Sequence, residues 1–114
     1  MREKIIEQYL VKQCKAQRWE CWKLTSPARR GVPDRLIILP GMVAFVEVKS
    51  PKGRLTLLQE KVLRRLKAKG QTTAVVYNKE QVDELIETLR NALSGGRAHN
   101  GKETVRNTPR GGQR

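Results

Sequence analysis

The stretch from Gly31 to Lys49 constrains this chain more than any other. Two apolar runs rich in β-branched residues, Leu36–Leu39 and Met42–Val48, flank Pro40-Gly41. This is the pattern of two strands joined by a turn. With Pro40 and Gly41 at the centre of the turn, Leu39 faces Met42, and the same ladder sets Asp34 opposite Glu47. Directly opposed residues have Cβ atoms about 4.5–5.5 Å apart, so two carboxylates are held together against their mutual repulsion. Lys49 lies two residues past Glu47 and projects from the same face of the strand. Two facing acids with a lysine beside them are the elements of a metal-dependent site. The turn leaves one alternative open. Pro40 suits a type II turn rather than the primed turns usual in two-residue hairpins. A longer loop or a bulge would shift the register by one and send one acid to the other face.

Charge points to the partner. The 114 residues suit one domain and carry a net charge of +13, with an isoelectric point near 10.5. Such a chain attracts polyanions, nucleic acid first among them. A membrane partner is not expected, because the sequence has neither a long apolar run nor a basic amphipathic N-terminal helix with bulky anchors. The charged N-terminus has no apolar segment of the signal-peptide kind. Cys14 and Cys21 lack zinc or redox spacing and read as reduced thiols, which favours a cytoplasmic setting.

Around the hairpin the elements follow from periodicity. Ile5, Ile6, Tyr9, Leu10 and Cys14 recur at helical spacing between Arg2 and Gln17, with Glu7 at the border of that apolar face. Trp19 to Leu24 reads as a short strand, with Trp22 and Leu24 on one face and both tryptophans assigned to the core. Thr25 to Pro33 is a loop that brings Arg29 and Arg30 close to Asp34, where they can grip phosphate. Ser50 to Gly53 forms a turn. Thr56 and Gln59 then match a capping box for a helix with Leu58, Val62 and Leu66 as its apolar stripe. Its outer face, with Lys61, Arg64, Arg65, Lys67 and Lys69, is almost single-signed. Gly70 suits the end of that helix. Thr72 to Tyr77 is a fourth strand, and Glu80 to Leu93 an amphipathic helix.

From Ser94 the apolar pattern stops. Residues 94–114 form a basic, Gly-rich segment that cannot bury enough surface to fold alone, and they read as a flexible accessory to a 1–93 domain. That domain is α/β (α+β), with strands in a meander, then a helical crossover into a mixed sheet flanked by helices.

Gly31-Val32-Pro33-Asp34 followed by Glu47-Val48-Lys49 on the next strand resembles the Pro-Asp…Glu-x-Lys core of the PD-(D/E)XK nuclease superfamily. The Gly-x-Pro-Asp form, the short spacing and the Leu-x-x-x-Gln from Leu55 to Gln59 resemble the VRR-NUC family in particular. The small stand-alone versions carried by phages and mobile elements are the most similar. The resemblance spans roughly Glu7 to Tyr77. It implies a restriction-endonuclease-like αβββαβ core with a C-terminal helix added. It also implies Mg²⁺ or Mn²⁺ held by Asp34 and Glu47, with the Val48 carbonyl and Glu7 as further ligands. In that scheme Lys49 activates water and stabilises charge, and Gln59 supports the site. Arg29, Arg30, Lys52 and Arg54 are expected to bind nucleic acid. The stand-alone relatives imply a homodimer acting on branched DNA, four-way junctions included.

The chemistry is coherent without the resemblance. Phosphodiester hydrolysis needs an activated water and neutralisation of charge on the phosphate oxygens, and a hard cation on one or two carboxylates supplies both. His99, the single histidine, lies in the tail, which disfavours histidine acid–base chemistry. The rival reading is a basic nucleic-acid-binding module without activity; it accounts for the charge but not for two acids aimed at each other. A nickase without junction preference is a further alternative, and the choice between DNA and RNA stays open.

Overall fold

The hairpin register decides the layout of the sheet. The computed structural model describes residues 2–99. Helix α1 (Glu3–Ala16) leads into strands β1 (Glu20–Lys23), β2 (Arg35–Leu39) and β3 (Met42–Val48). Helix α2 (Leu57–Ala68), strand β4 (Thr72–Val76) and helix α3 (Lys79–His99) follow. Leu39 pairs with Met42 and Arg35 with Val46, so the two-residue turn holds and Asp34 falls level with Glu47. Gly41 has φ +79°, the left-handed value that the second central residue of a type II turn requires after proline.

The strands lie in the order β1-β2-β3-β4, antiparallel except for the parallel pair β3–β4. This is the expected mixed sheet. On one face Ile37, Leu39, Ala44, Val46, Val48 and Val76 are buried beneath α1 and α3, which supply Ile6, Leu10, Cys14, Val82, Leu85, Ile86 and Leu89. Tyr9 ties the two helices together through a 2.7 Å hydrogen bond from its hydroxyl to Asp83. Helix α2 packs against the opposite face, chiefly at β4. Among the described residues, no helix is long and apolar enough to cross a membrane.

Several expectations shift in detail. Trp19 is in the core, but Trp22 is 54% exposed, because neighbouring residues of a strand face opposite ways and Trp22 points from the side that α1 does not cover. Ile5 and Leu58 are also largely exposed, and the buried stripe of α2 is Val62 with Leu63. The last helix starts at Lys79, with the Asn78 side chain accepting from the Gln81 N–H at 2.8 Å. It runs to His99, past the boundary expected at Leu93. The rest of the basic tail lies outside the described residues. Cys14 and Cys21 are both free thiols. The neighbouring Cys21 thiol, together with burial, pushes the Cys14 thiol up.

Candidate active site at the end of the hairpin

Asp34 and Glu47 meet where β2 begins and β3 ends, each held by backbone on either side. The Leu24 N–H donates to the Asp34 carbonyl at 2.9 Å, and the Lys49 N–H to Val76 of β4 at 2.9 Å. The Val48 N–H donates to Asp34 Oδ2 at 2.8 Å, which turns the aspartate side chain toward β3. Glu47 is the one buried charged residue among the described residues, at 2% exposure. Its carboxyl is pushed up to about 7, first by burial and then by the neighbouring Asp34, against the pull of Lys49. Lys49 Nζ stands 3.7 Å from Glu47 Oε2.

Gln59 closes the site from α2. Its Oε1 accepts from the Thr56 N–H at 2.9 Å, while Thr56 Oγ1 accepts from the Gln59 N–H at 3.1 Å, the reciprocal capping box read from the sequence. Its Nε2 meanwhile donates to Glu47 Oε2 at 3.0 Å. One amide therefore starts the helix and orients the buried acid. The approach of α2 is fixed by Gly31. At φ +81° this residue sits so close to the helix that a Cβ would lie 2.9 Å from Leu58 Cγ and 3.1 Å from the Leu58 carbonyl, so any other side chain would push the helix away. Arg29 and Arg30 are exposed in the turn just before Gly31, and Lys52 and Arg54 in the connection from β3 to α2. Both basic pairs thus flank the end of the sheet that carries the acids.

Glu7, which the resemblance implies as a further cation ligand, is held by two basic side chains. Its Oε2 accepts from Arg35 Nε at 2.8 Å and from Lys23 Nζ at 3.2 Å. Burial would raise its pKa, but these hydrogen bonds hold the carboxyl below its ordinary range. Lys23, Arg35 and Val46 share a rung of the ladder, so they face α1 while Glu47 faces the other way. From the first turn of α1, the charge of Glu3 also helps to raise the Glu47 pKa. Glu3 and Glu7 are one helical turn apart on the same face, so spacing alone could not choose between them.

The donor set suits a hard cation. Two carboxylates and backbone oxygen form an all-oxygen environment, without the thiolate or imidazole that zinc prefers. Among the described residues no cluster of three or more His, Cys, Asp or Glu has metal-binding geometry. A cation here would therefore complete its shell with water and substrate oxygens, as Mg²⁺ commonly does.

No protein-family model matches the chain. It is 40% identical over 81 residues to "Putative nuclease p44" of Acyrthosiphon pisum secondary endosymbiont phage 1, a match covering 70% of this chain and 87% of the relative. A solved structure described as a VRR_NUC domain superposes with a TM-score of 0.71 at 34% identity, covering 75% of this chain and 94% of that one. The chain belongs to the VRR-NUC family. The α+β fold of this VRR-NUC protein, three helices and a four-stranded mixed sheet, thus matches that of a solved relative.

Proposed function

We propose that this VRR-NUC protein is a nuclease of the PD-(D/E)XK type, a Mg²⁺- or Mn²⁺-dependent endonuclease that hydrolyses phosphodiester bonds in DNA. The observation that carries the reading is the buried Glu47 set against Asp34 with Lys49 beside it. An acid pair short of positive charge is a costly arrangement that structure alone does not call for. The similarity to a phage protein named as a nuclease supports the same reading.

Asp34, Glu47 and the Val48 carbonyl would hold the cation. When bound, it lowers the pKa of a water ligand and neutralises charge on the phosphate. Gln59 fixes the Glu47 carboxylate through its amide hydrogen bond. Lys49, a compact cation at the same carboxylate, orients the attacking water and offsets charge developing on the phosphate oxygens. Arg29, Arg30, Lys52 and Arg54 would grip the flanking backbone, because charge-assisted contacts to phosphate position a strand without reading its sequence.

One acid pair serves one strand at a time. A two-fold homodimer, the commonest closed assembly, would present two such sites to symmetry-related strands of branched DNA. The proposed setting is the cytoplasm of a host cell, with the gene carried by a phage. The test is incubation of the full chain with labelled single-stranded, duplex, flap and four-way substrates, with and without Mg²⁺, alongside light scattering. Divalent-dependent incision near the branch by a dimer is expected. Binding without incision under any divalent condition would leave a non-catalytic module instead.

A further inference from the structure

The sheet face that carries the acid pair is only half covered. Helix α2 lies over β4, whereas the rung next to the acids, Trp22–Leu36–Phe45, begins at the edge strand with an exposed tryptophan. Leu36, Ile38, Val43 and Phe45 on this face are only half-buried. An indole standing in water beside a partly open apolar surface contributes little to the fold, and Trp19 already fills the core position. The one polar group of Trp22 is satisfied within the strand, because Nε1–H donates to Glu20 Oε1 at 3.2 Å. What remains for a partner is the aromatic ring.

Its position indicates what that partner is. Trp22 is one strand and two residues away from Asp34 on the same face, about 8 Å between Cα atoms at ordinary sheet spacings. At a rise of about 3.4 Å per nucleotide, that is roughly two nucleotides along a stacked strand. The loop that leaves β1 just after Trp22 carries Arg29 and Arg30, so a strand on this face has its phosphates beside guanidinium groups and its bases toward the ring. A net charge of +13 complements such a ligand. Base–aromatic stacking tolerates any sequence, since every base has a π-face. It requires a base that is out of its own helix.

We propose that Trp22 is the stacking platform for an unpaired nucleobase of the strand lying in the Asp34–Glu47 site, and that it favours DNA with unpaired positions there. The proposal rests on the nuclease reading for the direction of the strand but is tested by binding alone. Full-length protein, Trp22→Ala and Trp22→Phe are compared in EDTA, so nothing is cleaved, with an oligo-dT strand and a blunt duplex of the same length.

Trp22→Ala is expected to weaken single-strand binding roughly tenfold or more, while duplex binding changes less than twofold and the melting temperature is unaltered. Trp22→Phe should recover most of the affinity yet lose the fluorescence quenching that oligo-dT produces in the wild type. Equal losses on both DNA forms, or no loss, would overturn the platform. So would a Trp22→Ala protein that changes from dimer to monomer and weakens on both forms, which would assign this face to a second copy. Intact stacking signatures in a protein that cleaves nothing with any divalent cation would remove the nuclease reading and leave the platform standing.

Discussion

Two glutamates on opposite faces of one sheet have opposite electrostatic fates. Glu7 is met by Arg35 and Lys23 and lies below the ordinary carboxylate range. Glu47, more deeply buried, is met by another acid and by one lysine at 3.7 Å, and is pushed up to about 7. The first is a satisfied ion pair joining α1 to the β1–β2 edge. The second is left short of positive charge, a conflict that proteins retain mainly where chemistry requires it. Burial does not separate the two roles; the sign of the surrounding charge does.

The largest expected effect is on cleavage. Glu47→Gln and Asp34→Asn should each lower Mg²⁺-dependent nicking of plasmid by at least roughly a hundredfold, since each removes charge that would hold the cation. DNA binding should persist or tighten. Glu7→Gln should leave cleavage within a few-fold while lowering stability by about 1–3 kcal/mol, because Arg35 loses its partner in a largely buried setting. Loss of cleavage at unchanged melting temperature in Glu7→Gln would dissolve the contrast and return Glu7 to the cation.

Next in size is a pH effect of opposite sign at the two sites. The folded protein holds the Glu47 proton above the value of 4.5 at which the unfolded chain releases it. Folding stability therefore falls as pH rises through the window from 4.5 to about 7, by on the order of 3 kcal/mol. Glu47→Gln should match the wild type below pH 4.5 and exceed it in melting temperature above pH 7. Glu7, with a depressed pKa, contributes stability at neutral pH that is lost as pH falls below the ordinary carboxylate range. Glu7→Gln should accordingly approach the wild type on acidification. Melting curves from pH 4 to 8 check both.

The smallest effect separates two partners in the same capping box. Thr56→Ala should cost about 1 kcal/mol through the cap alone and leave cleavage nearly intact. Gln59→Ala should cost a similar amount and also slow cleavage about tenfold, because it releases Glu47. Equal cleavage in the two variants would show that the helix start, not the carboxylate contact, is what matters.

The hairpin was legible because its register is local: Pro40-Gly41 sets the pairing, and period-two alternation then brings Asp34 to Glu47. The Thr56–Gln59 cap was legible for the same reason. The second bond of Gln59 was not, since it depends on how closely α2 approaches the sheet, which Gly31 decides across the fold. The ion pairs of Glu7 are a long-range matter too. Helical spacing gives Glu3 and Glu7 the same face, and only the pairing of Lys23 with Arg35 shows that Glu7 is already claimed. Likewise Trp22 read as core because composition favours buried tryptophan, whereas strand alternation put it on the uncovered side. The helical turn beyond Leu93 has no apolar stripe to announce it.

The double use of Gln59 makes the start of α2 an indicator of events at the acid pair. Deprotonation or ligation of Glu47 alters the pull on the Gln59 amide, whose other end accepts from the Thr56 N–H. Fraying of that first turn and the occupancy of the carboxylates are then linked equilibria. The exchange rate of the Thr56 backbone proton with solvent should track the charge state of a residue it never touches.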